Sequence, residues 1–314
     1  MPDFDLPFTV LRVTLRAEED VHLPPFPGSK LEGAFGRALY RLACTQPHRE
    51  TCTGCPLQPI CPYGLTYQPH LPAEVRAASL GTPPRPVVFR IPHTQGVLLQ
   101  PGDTFTFGLT ILGTALTQLP YLLAALREVG QAGLGHLRGV LELTEVQSVN
   151  PYTGETVTLL QEGQLGVHLH PIILNVDHLP PVPDGEVTLD LQSLVNIQVD
   201  GRTVQNLHFP VLVRALQRRI SNLEQIHGGR RSMGQDFTTL PYLARTVNTR
   251  NLDLRPVTQA RKGSRPNERA MMHGWMGTLS YTGDLRPFSV LLRYGEQLGV
   301  GKWAHFGAGL YTLR

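Results

Sequence analysis

The chain has 314 residues, 41% of them hydrophobic and 17% charged, with Gly 31, Pro 27, Cys 4 and a net charge of +3. At roughly 150 residues per domain this length predicts two domains, and the Gly and Pro content excludes long helical bundles and coiled coils. No run reaches the ~18 consecutive apolar residues of a membrane helix, and the first five residues lack the basic start and apolar stretch of a secretory signal, so a cytoplasmic protein is expected.

Leu11, Val13 and Leu15 alternate with Arg12, Thr14 and Arg16, the pattern of a half-buried opening strand. After a Pro-rich turn, Ser29 is placed as an N-cap before Leu31, Phe35, Ala38, Leu39 and Leu42 at helical spacing. Pro86–Ile91 predicts a second strand, and Thr104–Ile111 a third, with Phe105, Phe107, Leu109 and Ile111 on one face. Leu119, Leu122, Leu123, Leu126 and Val129 predict a second helix. Gly139–Val149 predicts a strand, and a turn at Asn150–Gly154 leads to another at Val157–Leu160. The order β-α-β-β-α-β is that of the ferredoxin-like split unit.

All four cysteines, Cys44, Cys52, Cys55 and Cys61, fall after the first helix with spacing C-x7-C-x2-C-x5-C. Gly54, Pro56 and Pro59 interrupt them, which suits a small knuckle with a structural zinc ion on four thiolates, a filled tetrahedron with no catalytic opening. An iron–sulfur cluster and unligated thiols are the alternatives, and His48 stands within the window as a substitute ligand. Disulfides are disfavoured in a cytoplasmic chain.

A polar region between Gln161 and Gly185 predicts the domain boundary, giving an N-terminal domain of residues 1–165 with its Cys-rich insertion at 44–61 and a C-terminal domain of 166–314. In the second half, Val187, Leu189 and Leu191 begin a strand. Val213, Leu216, Ile220, Leu223 and Ile226 make a helical stripe, with Arg214 and Arg218 on another face. Strands follow at Asn251–Val257 and His273–Tyr281, then a helix through Leu285, Phe288, Leu291, Leu292 and Leu298, and a last strand at Phe306–Leu313. The net charge conceals a segregation. Of the 28 basic residues, all but Lys30, Lys262 and Lys302 are Arg. Residues 202–269 hold 13 basic and four acidic side chains, a local +9 against −6 for the remainder. Arginine in such density suits bidentate phosphate contacts and stacking on bases. Arg214, Arg218, Arg230, Arg231, Arg261, Lys262 and Arg265 are the candidate phosphate contacts.

Near the C-terminus, Gly299, Gly301, Gly307 and Gly309 punctuate a loop that carries Lys302, Trp303 and His305. It is not a phosphate-binding P-loop, because Glu296 stands where that motif needs Gly, Trp303 where it needs Ser or Thr, and the loop leaves a helix for a strand. Two readings remain: bare backbone turned toward an anion, with Trp303 as a stacking face, or glycines chosen for backbone angle in a tight turn.

The run from Gly299 through Lys302 to Phe306-Gly-Ala-Gly-Leu-Tyr-Thr-Leu313 resembles the glycine-rich signature of the RAMP superfamily of CRISPR-associated proteins, and within it the endoribonuclease that cuts precursor CRISPR RNA inside its repeats. Pro27-Gly-Ser-Lys-Leu-Glu-Gly-Ala34 is similar to the family's first-helix start, with Glu32 departing where a basic residue is common. Cys61-Pro-Tyr resembles one branch of the family, and Gly263-Ser-Arg265 with His273-Gly-Trp-Met-Gly277 resembles the segment before the last strand–helix unit. The resemblance implies an α+β protein of two tandem ferredoxin-like (RRM-like) domains.

It also implies metal-independent cleavage, in which the ribose 2′-hydroxyl attacks the adjacent phosphate and leaves a 2′,3′-cyclic phosphate and a 5′-hydroxyl. That chemistry needs a base, an acid and a cation for the phosphorane. His48, just past the first helix, His22, just before it, and His305 in the glycine loop are the candidate proton carriers, with Lys30 as the cation. Lys302, Trp303 and the four loop glycines are placed on RNA. CRISPR repeat RNA, and possible effector-complex Cas proteins, are the expected partners. The alternatives are a non-catalytic RAMP subunit that grips the processed RNA, and a DNA-binding regulator using Arg214, Arg218 and Arg219 on one helix.

Overall fold

The structure, a computed structural model, describes residues 6–314 apart from 47, 49–50, 72–82, 92–95, 165, 230–233 and 263–268, and describes no side chains within 231–236 and 261–269. The first half runs β1 (Phe8–Ala17), β2 (Val21–Leu23), α1 (Gly28–Ala43), α2 (Pro62–Tyr67), β3 (Val87–Arg90), β4 (Val97–Leu99), β5 (Thr104–Leu112), α3 (Leu119–Gln131), β6 (Leu141–Val149) and β7 (Thr156–Gln161). Five strands make an antiparallel sheet in the order β3-β5-β1-β6-β7, and β2 pairs with β4 in a separate ribbon. Without its edge strand β7, the sheet has the strand order of a ferredoxin-like unit.

The alternation in β1 explains how one strand serves two cores. Leu11, Val13 and Leu15 are buried under α1 and α3 with Phe35, Leu39, Leu122 and Leu126. Because successive side chains point to opposite faces, Phe8 and Val10 turn the other way and enter the core of the second half.

That half runs β8 (Gly185–Val195), β9 (Gln198–Val199), β10 (Arg202–Thr203), α4 (Phe209–His227), α5 (Gly234–Leu243), β11 (Asn248–Asn251), β12 (Arg255–Lys262), β13 (Arg269–Gly283), α6 (Ser289–Leu298) and β14 (Tyr311–Leu313). Its sheet order is β11-β13-β8-β14, with β12 also pairing with β13. The ferredoxin-like arrangement recurs, so the fold is a tandem pair. Among the described residues, no helix is long and apolar enough to cross a membrane.

Several local expectations need correction. Pro27 is the N-cap of α1 and no side chain caps it; Ser29 lies inside the helix. Leu42 is 41% exposed, beyond the buried stripe. The strand expected at Asn251–Val257 is two strands, because Leu252 and Asp253 N–H groups both turn to Thr278 O. Gly277 opposite has φ +113, and a Cβ there would lie 1.7 Å from Asp253 O. The last strand begins only at Tyr311, since Ala304–Phe306 is a turn of 3-10 helix.

The segment between the sheets is held rather than loose. Leu174 exchanges backbone hydrogen bonds with Phe8, and Arg293 donates to Pro180 O and Pro181 O at 3.1 Å. The expected boundary at 165/166 falls within this segment. The halves also meet at the C-terminal end of α6. A helix leaves its last carbonyls without intrahelical partners and carries partial negative charge there. Arg90 from β3 donates to Glu296 O, Thr110 from β5 to Gln297 O at 3.0 Å, and Arg219 from α4 to Leu298 O at 2.8 Å. Burial pulls the Arg219 guanidinium down to about 10. Replacing Arg90 by Met leaves Glu296 O unpaired and is expected to cost about 1–3 kcal/mol, read as a lowered urea midpoint.

A second tie is His227 at the end of α4, 2% exposed, whose Nε2 bonds to Pro84 O at 2.8 Å. Burial lowers its pKa from 6.5 to about 4, partly opposed by that bond. The unfolded chain therefore takes up the proton first. The stability His227 confers is whole above about pH 6.5 and is lost as pH falls toward 4, up to about 3 kcal/mol. In His227→Gln, where an amide N–H can replace the donor, the stability–pH curve should lose that slope between pH 6.5 and 4.

Candidate nucleic-acid interface

The glycine loop lies in the seam between the halves. Gly299 (φ +68) ends α6, and Gly301 (φ +83), Gly307 (φ +98) and Gly309 (φ +73) all take left-handed backbone. Space adds a second requirement: a Cβ on Gly301 would lie 2.2 Å from Asn196 O, and one on Gly309 1.9 Å from Val300 O. The loop N–H groups of Gly299, Val300, Lys302, Phe306, Gly307, Ala308 and Gly309 donate to protein carbonyls. The glycines thus serve backbone angle and close packing, and those seven N–H groups are already taken up within the protein. These observations support the packing reading of the loop for those seven groups.

The loop presents side chains instead. Lys302 is exposed, its Nζ 5.0 Å from the centroid of the half-buried Trp303 ring. Trp303 has φ +66, an unusual conformation for a bulky residue. Phe306 packs on Phe26, and Phe306 O lies where a Cβ on Gly28 would come within 1.9 Å. The start of α1 and the glycine loop are therefore seated directly against each other.

Beside this contact is a pocket of about 610 Å³, lined by Ser29, Lys30, Arg37, Gly133, Gly135, His136, Arg138 and Phe306 among others. Lys30 and Arg37 come from α1. His136 and Arg138 come from the loop after α3, where Gly133 (φ +76), Gly135 (φ +81) and Arg138 (φ +55) make a tight path. His136 N donates to His22 O at 3.2 Å, so this loop is pinned to β2. His22 and His136 are both exposed. Among the described residues the only lining carboxylate, Glu32, is paired with Arg85. The surroundings are thus cationic, at the positive end of a 16-residue helix.

The remaining candidates are dispersed. His48 is exposed beyond the far end of α1, and at 1.5 Å per residue that helix is about 24 Å long. His48 is not among the residues that line the pocket, whereas His22 is on the strand that holds the pocket's loop. His305 is half-buried against the Phe306 ring, centroids 4.7 Å apart. Arg214 and Arg218 are exposed on α4, in the other domain. Arg230, Arg231 and Arg265 lie outside the described residues, as do the side chains of Arg261 and Lys262. His136 and Arg138 were missed in the sequence. Their one signal, Gly133 and Gly135 flanking a helix end, marks a turn and says nothing of what it faces.

Comparison with known proteins now decides the family. Residues 6–172 match the AF_1859_N family, described as an N-terminal domain, and residues 189–311 match the CRISPR-associated endoribonuclease Cas6. The first match spans more than half of the chain, so this chain belongs to the AF_1859_N family, and its C-terminal domain matches Cas6. An uncharacterized protein of Archaeoglobus fulgidus is 27% identical over 203 residues, covering 62% of this chain and 67% of that one. Among solved structures, a Cas6 product complex matches with TM-score 0.56 at 18% identity, covering both chains fully. Thermus thermophilus Cas6 matches with TM-score 0.52 at 13% identity and 99% of each chain. A partial Cas6-RT-Cas1–Cas2 complex matches with TM-score 0.57 at 12% identity, over 100% of this chain and 47% of that one. At these identities the structures speak for the fold.

The N-terminal domain carries its Cys-rich insertion between α1 and β3. None of Cys44, Cys52, Cys55 and Cys61 is in a disulfide, and all are half-buried. Burial, then Cys61, Cys44 and Cys55, push the Cys52 thiol up. The cysteines are neighbours, yet among the described residues no three His, Cys, Asp or Glu side chains are disposed to hold a metal ion. The tetrahedral zinc site expected from the spacing is therefore not seen among the described residues. What holds the knuckle is packing and hydrogen bonds: Cys52 N donates to Gln68 Oε1 at 2.7 Å and Gln58 Nε2 to Gln68 O at 2.7 Å.

Gly28→Ala tests the loop contact. The new Cβ must push Phe306 O away, at an expected cost of about 1–3 kcal/mol. In a Trp275→Phe background the emission of Trp303 should shift as the loop moves.

Proposed function

We propose that this chain cuts precursor CRISPR RNA within its repeats, at the pocket where α1, the loop after α3 and the glycine loop meet. The observation that carries the reading is the convergence there of Lys30, Arg37, Arg138 and His136, with His22 on the adjoining strand. A polyanion needs such a cationic seat, and the first turn of α1 adds its N–H dipoles to it.

In the reaction the 2′-hydroxyl attacks the neighbouring phosphorus, the 5′-oxygen leaves, and a 2′,3′-cyclic phosphate forms. Imidazole can take and return a proton near neutral pH, so His22 and His136 are the two proton carriers and Lys30 the charge partner of the phosphorane. These groups supply base, acid and cation, so no metal ion is given a role in this scheme. Lys302 and Trp303 lie on the strand's path past Phe306, one for the phosphate and one for a base.

The test uses repeat RNA in EDTA alongside the same RNA with a single 2′-deoxy residue at the cut. Cleavage of the first alone, leaving a cyclic phosphate, is the expected outcome. His136→Ala and His22→Ala should each slow cleavage by about 10²–10⁴-fold with affinity little changed, while His48→Ala should cut normally. A His48→Ala loss with His136→Ala active would move the site to the other end of α1. Tight binding without cleavage would make the chain an RNA-holding subunit. Affinity should fall steeply with salt, and by a smaller slope in Lys302→Met.

A further inference from the structure

A second pocket, of about 700 Å³, lies between α1 and the cysteine knuckle. It shares Glu32, Gly33 and Arg37 with the cationic pocket, so the two are divided by a single wall of α1. Its lining is aromatic and basic. Tyr63 stacks on Tyr67 with centroids 5.3 Å apart and planes within 4°, and Tyr40 meets Tyr63 edge-on at 5.1 Å. Tyr67 is the anchored member: its hydroxyl donates to Glu32 O at 2.8 Å and Arg85 lies 4.4 Å above its ring.

Among the described residues, Arg37, Arg41 and Arg85 line the pocket against one carboxylate, Glu32, which Arg85 pairs with. Arg41 lies 3.8 Å from Glu128, an exposed and therefore weak pair. An excess of guanidinium beside tyrosine rings selects an anion that carries a flat ring, which describes a nucleotide. The volume takes one such unit and no folded segment. Gln46 and Thr51 at the rim offer donors and acceptors to a base edge.

We infer that this pocket receives one unpaired nucleotide of the RNA, next to the phosphate cut in the adjoining pocket, and so selects the cleavage position. The inference rests on the reading of that neighbouring pocket as the cleavage site. It gives the knuckle a role, since Cys44, Cys52 and Cys55 line the pocket wall.

The chain's four cysteines all lie in this knuckle, so thiol reactivity reports on this place alone. The probe is repeat RNA made uncleavable by one 2′-deoxy residue, with an abasic site placed in turn at each unpaired position. One abasic position close to the cut should weaken binding about tenfold or more in the wild-type chain, and have no effect in Tyr63→Leu or Arg41→Gln. In the wild-type complex, thiol modification in EDTA should slow several-fold. If no abasic position distinguishes wild type from these variants, or the thiols react as fast with RNA bound, the inference fails while cleavage stands. RNA that is neither bound nor cut would overturn the cleavage reading itself.

Discussion

The C-terminal end of α6 is the constraint on which the rest of the molecule depends. Three successive carbonyls emerge there without helical partners, and each is met by a donor from a different element: Arg90 on β3, Thr110 on β5 and Arg219 on α4. Two of those strands belong to the other domain. Because an unpaired buried carbonyl is costly, the end of α6 can satisfy its backbone only when the two domains are docked. The tie also works in reverse, since Arg90 and Arg219 lose hydration in the seam and need those carbonyls.

The glycine loop begins where that helix ends, and its path follows from the same docking. It passes β8 at Asn196, touches β3 through Phe89 O and reaches the start of α1 through Phe306. A loop of the second domain thus forms part of a pocket whose cations come mostly from the first. Neither domain alone has the whole pocket, which explains why a tandem fold carries one site at the junction.

The alternation in β1, the stripes of α1 and α3 and the repeated strand–helix order were legible in the sequence, because period 2 and period 3.6 follow from local backbone geometry. The glycine loop stood out for the same reason: left-handed φ values demand Gly locally. The break between β11 and β12 was not legible, since it arises from Gly277 meeting Asp253 O across the sheet. The cysteine spacing suggested a metal knuckle, but spacing sets only reach along the chain and says nothing of the pocket that Cys44, Cys52 and Cys55 line with Tyr63 and Arg41. His48 stood out as the histidine just after α1, past the end of the helix opposite to the one where Lys30 stands. His136 carried no motif, and the α3–β6 loop brings it to the pocket by folding back onto β2.

By itself the sequence determined the two α+β units, the basic character of the second, its glycine loop and the family resemblance at both ends. Each of these is written in neighbouring residues. Only the tertiary structure decided that Gly301 packs on Asn196 and Gly28 on Phe306, that Arg90 and Thr110 close a helix of the other domain, and that Lys30 and Arg37 share one pocket with His136 and Arg138. Those facts join residues more than 90 positions apart, and their physical cause is the docking of two sheets around one helix end, to which local periodicity is blind.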